Sequence, residues 1–198
     1  MKHKIFAVVT FGLGVVQLLL ILLSWLITAA LPELPFRSLL GSEGIRWFFG
    51  QFTDNLASPL LVWLILLGMA AGTLRLSGLW TALVCPARNQ YRQRFALKIV
   101  LFELLIFAVI LGLLTLMPQA ILLGVTGYLY PSSFSQSIIP VLCFTVCCLS
   151  VTFGWLSASY RSLTDIFKSL SYGVGSIAPL LVIYVLAAQL FYSFVFVF

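Results

Sequence analysis

Apolar residues run almost unbroken through five stretches, and polar positions gather in the short segments between them. The first covers residues 5–31, where only Thr10, Gln17, Ser24 and Thr28 bring polar side chains. Residues 60–74, 95–117, 138–159 and 177–198 follow. A helix needs about 20 mostly apolar residues to cross a hydrocarbon core of about 30 Å. Four stretches reach that length, and the second does so when residues 56–58 and 76–83 extend it. The pattern predicts an all-α, polytopic membrane protein with five transmembrane helices, a single bundle over residues 1–198. As a helix the first run would reach about 40 Å, so it must tilt or project beyond the core. Its basic start (Lys2, Lys4) and the small residues Thr28-Ala29-Ala30 resemble a secretory signal. The run is about twice the usual signal core of 7–15 residues, which favours a retained span.

Composition agrees. The chain is 62% hydrophobic and 8% charged, against roughly 25% charged in soluble domains. Such a sequence cannot cover a water-facing surface, and its length leaves room for one bundle without a separate soluble domain. A net charge of +6 would ordinarily suggest nucleic acid or acidic ligands. The positions argue for topology instead, with the lipid bilayer as the partner and no nucleic acid. Lys2 and Lys4 precede the first span; Arg75, Arg88, Arg92, Arg94 and Lys98 lie between the second and third; Arg161 and Lys168 lie between the fourth and fifth. The opposite side holds only Arg37 and Arg46, offset by Glu33, Glu43 and Asp54. Basic loops stay cytoplasmic, so the expected orientation is N-terminus in and C-terminus out.

Two connecting segments carry their own pattern. Pro32 and Pro35 end the first helix, Ser42 offers an N-cap, and Glu43 suits the first turn. Ile45, Phe48, Phe49, Phe52 and Leu56 then recur at helical spacing, with Trp47 beside them. This predicts a short outer interfacial helix, its aromatic face in lipid, on a partner, or packed on the bundle. Residues 118–136 begin apolar but are interrupted by Gly124, Gly127 and Pro131. They read as an outer interfacial loop, the alternative being a re-entrant turn buried in protein.

Chemistry inside the spans is sparse. Glu103 stands about eight residues, or about 12 Å, into the third run. A carboxyl at that depth is a functional-site candidate by default and could take up a coupling proton. The preferred reading is an ion pair with Arg75 or Lys98, whose long side chains can reach toward it. Gln17 and Gln189 are candidate polar positions suited to interhelical hydrogen bonds, and Gly68 and Gly72 fit the small-xxx-small packing pattern. Phe191, Tyr192, Phe194, Phe196 and Phe198 would form an aromatic collar at the outer interface. Cys143, Cys147 and Cys148 have no His, Asp or Glu beside them in their span. A closed metal site needs about four ligands, so they read as packing residues, and no cofactor or metal is expected. Without an intramembrane His, Asp pair or metal cluster, no catalytic constellation is in view, and an enzyme is not expected.

Ser42-Glu43-Gly44-Ile45-Arg46-Trp47, then Asn55, then the run through Gly68 and Gly72 to Ser77-Gly78-Leu79, resembles the N-terminal part of the AbgT-type p-aminobenzoyl-glutamate transporter family. Ala178-Pro179-Leu180 through Ala187-Ala188-Gln189-Leu190-Phe191 is similar to a later part of that family. The resemblance implies a reduced relative of these carriers in a bacterial inner membrane. It further implies ion-coupled movement of a small organic anion, and a homodimer. Family members are longer and use a pair of re-entrant hairpins whose polar residues hold substrate and ion; no Asn- or Asp-rich intramembrane cluster stands for them here. The competing reading is a non-transporting scaffold or accessory subunit bound to a membrane partner. Transport predicts a polar cavity near Glu103, Gln17 and Gln189; a scaffold predicts no continuous polar path.

Overall fold

A computed structural model describes residues 2–31, 33, 35–85, 90–116 and 133–198. Every regular element among them is a helix: α1 (Lys2–Ala30), α2 (Ser42–Gly50), α3 (Phe52–Leu56), α4 (Pro59–Leu76), α5 (Leu79–Val84), α6 (Tyr91–Leu116), α7 (Ser133–Leu156) and α8 (Leu163–Val197). Five of them, α1, α4, α6, α7 and α8, are long and apolar enough to cross a membrane. Their outward faces are densely apolar: Val8, Phe11, Leu18, Leu101, Phe102 and Phe191 are each more than 60% exposed. Water does not tolerate apolar surface on that scale, and lipid covers it. The chain is a multi-pass membrane protein.

The boundaries depart from the hydrophobic runs where local chemistry intervenes. The second span stops at Leu76 instead of continuing to residue 83. Gly78 adopts a left-handed backbone with φ of 81°, the conformation in which helices commonly end. The Ser77 hydroxyl donates to the Leu74 carbonyl and accepts from the Leu79 N–H, so α5 starts as a separate short helix. The fifth helix begins at Leu163, well before residue 177, because Asp165 accepts the backbone N–H groups of Arg161 and Ser162. Those donors open the first turn, and the third-position carboxylate satisfies them. Ser42 is the first helical residue of α2, with Gly41 in the capping position and no side-chain cap. A Cβ on Gly44 would overlap the Ser38–Leu39 backbone, so the preceding loop lies directly on the helix start. The aromatic stripe breaks at Gln51, which places Phe52 and Leu56 on α3. Residues 118–132, where a loop or re-entrant turn is expected, lie outside the described residues, as does Arg88; residues 133–136 belong to α7.

The chain forms two compact units, one of residues 1–62 and 177–198, the other of residues 63–176. In the first, the buried Ser24 hydroxyl donates to the Ile21 carbonyl and accepts the Leu39 N–H, tying the 35–41 loop to α1. The Arg37 N–H donates to the Val197 carbonyl, and Phe36 meets Phe198 edge-on at 5.3 Å. In the second, Leu79, Ala82, Ala96, Val100, Leu149 and Phe153 make a continuous apolar core. Arg92 donates through Nε to the Leu156 carbonyl at 2.6 Å, closing the end of α7. Tyr160 lays its ring on Gly154 and donates its buried hydroxyl to the Thr73 carbonyl. Burial pushes this phenol above its ordinary range, so it remains a neutral donor.

Gly68 and Gly72 meet the other half of the same unit. A Cβ on Gly72 would overlap the Ser169 carbonyl and the Gly173 backbone, and one on Gly173 would overlap Gly68. Small residues allow this backbone approach, the usual source of helix association where hydrophobic driving force is absent. Gly12 faces open space. Gly72→Ala should therefore lower thermal stability in detergent, by about 1–3 kcal/mol of overpacking. Gly12→Ala should leave it unchanged or raise it slightly, since alanine is the better helix former. Scanning fluorimetry on the two variants reads the contrast directly.

Candidate functional site

The face of α6 that meets α7 is set by spacing: Ala96, Val100, Glu103 and Phe107 follow one another every three or four residues. Ala96 and Val100 enter the core, and Phe107 meets Phe144 of α7 edge-on at 6.2 Å. Glu103 is held in the same seam, and the Thr152 hydroxyl of α7 donates to its Oε1 at 3.3 Å. Its Oε2 is buried without a partner. Because α6 begins at Tyr91, Glu103 sits about 18 Å along the helix, near its midpoint. The expected ion pair with Arg75 or Lys98 does not form: among the described residues the ion pair within 4.0 Å is Arg37–Glu43. The carboxyl packs into the α6–α7 seam and finds a hydroxyl there.

The other two polar candidates, Gln17 and Gln189, belong to the first unit, whereas Glu103 belongs to the second. Gln17 of α1 donates through Nε2 to the Ser193 hydroxyl of α8 at 2.9 Å. One turn earlier on α8, the 96%-buried Gln189 accepts from Asn55 Nδ2 of α3 at 3.4 Å. Nearer still to the helix middle, the Tyr184 hydroxyl bonds Ser58 at 2.6 Å and donates to the Leu56 carbonyl. Tyr184, Gln189 and Ser193 thus make a polar seam along α8, satisfied by α1, α3 and the turn before α4. Two atoms in it lack partners, the Gln17 carbonyl oxygen and the Gln189 amide nitrogen. Sequence pattern points to the glutamines, and Asn55 enters only through the family resemblance; Ser58, Tyr184, Ser193 and Thr152 are not singled out. The one available signal is the i, i+4 repeat of polar residues at 189 and 193 inside an apolar run.

Around α2, Ile45, Phe48 and Phe49 line an apolar crevice with Ile21, Leu39 and Leu40. Trp47 points elsewhere and stacks on Phe196 at 4.4 Å, with 20° between the rings. Phe52 begins α3 and is partly exposed. On α7, the Cys147 sulfur lies 3.7 Å from the Thr73 hydroxyl, and no group of three or more metal-ligating side chains occurs among the described residues.

Residues 86–196, more than half the chain, match the model of the AbgT putative transporter family. The chain belongs to this family. No curated protein and no solved structure matches it. The AbgT match takes in nearly all of α6, α7 and α8, and with them Glu103, Thr152, Tyr184, Gln189 and Ser193. Of the two patches that resemble the family by sequence, residues 178–191 lie within the match and residues 42–79 outside it. The membership is one of a transporter family, and the helices that carry it also carry buried polar atoms left without partners.

Interhelical hydrogen bonds of this kind contribute about 0.6 kcal/mol on average and at most about 1.7 kcal/mol in membrane proteins. A double-mutant cycle on Asn55→Leu and Gln189→Leu, read by unfolding in detergent, should give a coupling energy inside that range. A coupling indistinguishable from zero would mean that the pair does not hold α3 to α8.

Proposed function

We propose that this AbgT-family protein is a carrier in the bacterial inner membrane. It moves a small organic anion such as p-aminobenzoyl-glutamate, and Glu103 is the group that binds the coupling proton. The observation that carries this reading is the state of the Glu103 carboxyl. One oxygen accepts a hydroxyl hydrogen bond from Thr152, the other is buried and unpartnered, and no basic side chain pairs with it among the described residues. An intramembrane carboxyl in a purely structural role would be expected to sit against a cation or several donors. A carboxyl with one open oxygen has somewhere for a proton to go. Proton-coupled carriers use intramembrane carboxyls of this kind as relay groups. The substrate class rests on the family resemblance, and the membrane on both the family and the placement of basic loops.

The test is uptake of labelled p-aminobenzoyl-glutamate into vesicles containing the purified protein, with and without an imposed pH gradient. Gradient-driven uptake is expected. Glu103→Gln, which keeps the shape and the Thr152 contact but cannot cycle a proton, should abolish the gradient dependence while the protein still inserts and folds. Gradient dependence that survives in that variant would remove Glu103 from the coupling path. Failure of the folded wild type to take up the solute would favour an accessory role in a membrane complex.

A further inference from the structure

Around the α8 C-terminus, in the first unit, a cleft of about 520 Å³ is lined by Arg37, Glu43, Arg46, Trp47, Gln51 and Phe196. None of the transport machinery proposed above lies in it. We propose that this cleft binds the headgroup of an anionic phospholipid, the phosphate between Arg37 and Arg46 and the glycerol end against the Trp47–Phe196 stack.

Charge, shape and position support that occupant together. The Arg37 guanidinium lies 5.7 Å from the centre of the Phe196 ring and 3.9 Å from the Glu43 carboxylate. Arg46 makes no ion pair among the described residues. Two guanidinium groups against one carboxylate leave a net charge of +1, which a single phosphodiester neutralises, and guanidinium matches phosphate oxygens in a fork that ammonium cannot. One wall of the cleft is well packed: Trp47 is stacked on Phe196, the Arg37 N–H is bonded to the Val197 carbonyl, and Phe36 meets Phe198. It opens at the end of α8, where Phe194, Phe196 and Phe198 cluster, and aromatic residues at the end of a membrane helix mark the headgroup level. On the next face of α2, in the separate apolar crevice, Leu40, Ile45 and Phe49 present large apolar surfaces, Phe49 at 75% exposure. A soluble anion would leave these uncovered, whereas the acyl chains of a lipid held in the cleft would run over them. Lipid is therefore favoured over a free phosphate ester.

The test is native mass spectrometry of the full chain from mixed micelles containing phosphatidylglycerol and phosphatidylethanolamine, with glycerol 1-phosphate as the soluble competitor. One arginine near the membrane surface is worth about a fivefold change in binding of an anionic lipid. Wild type should retain phosphatidylglycerol over phosphatidylethanolamine by about that factor, and Arg46→Gln should remove the preference. Glu43→Gln frees Arg37 and should raise retention by a similar factor, an increase that misfolding cannot imitate. Equal retention of the two lipids, or retention indifferent to both substitutions, would overturn the proposal. So would displacement of the lipid by millimolar glycerol 1-phosphate, which would make the cleft a site for soluble phosphate esters. Because vesicle uptake is not the readout, the outcome is independent of whether the chain transports.

Discussion

Inside hydrocarbon a polar group has no water to fall back on, and every donor or acceptor must be satisfied by the chain itself or left at a cost of several kcal/mol. That constraint arranges both units of this protein. Backbone groups are absorbed by helices, and the places where helices must stop are managed one atom at a time. Ser77 serves the break between α4 and α5, Asp165 opens α8, Arg92 closes α7, and Ser24 holds the loop after α1. Where side chains are polar within a span, most lean on their own helix, as Thr73, Thr115 and Thr145 do by donating to carbonyls three or four residues back. Against that background the exceptions carry meaning. Among the described residues the buried side-chain atoms without partners are Gln17 Oε1, Glu103 Oε2, Ser150 Oγ and Gln189 Nε2. Glu103 and Gln189 lie on helices that carry the AbgT match and are also candidates for transport chemistry.

The same constraint explains how much of the fold is legible in the sequence. Long apolar runs announce spans because nothing else can use them, and all five are visible in this way. Their ends are not, since a helix end depends on a single residue. The start of α8 is hidden because Ser169, Ser171, Gly173, Gly175 and Ser176 dilute the hydrophobic signal. Two of those positions, Ser169 and Gly173, are small because the α4 backbone passes directly against them. The Ser-Gly break after Leu76 is readable in principle but masked by the apolar residues that follow it.

Sites are legible by residue and illegible by partner. Glu103 stands out in any reading, but its hydrogen-bond donor is a threonine 49 positions away that resembles every other threonine in a membrane helix. Long basic side chains suggest an ion pair, and the geometry of the α6–α7 face denies it. Gln189 finds Asn55 across 134 residues and Gln17 finds Ser193 across 176. Periodicity can place a polar residue on a face; it cannot say which helix that face will meet.

As the proposed coupling carboxyl, Glu103 exchanges a proton at its open oxygen when the solute binds. Infrared difference spectroscopy of the reconstituted protein, recorded as p-aminobenzoyl-glutamate is added, addresses it most directly. The expected result is a change in the carboxyl carbonyl band that shifts in heavy water and vanishes in Glu103→Gln. A solute-induced spectrum with no carboxyl component, or one unaltered by that substitution, would contradict it.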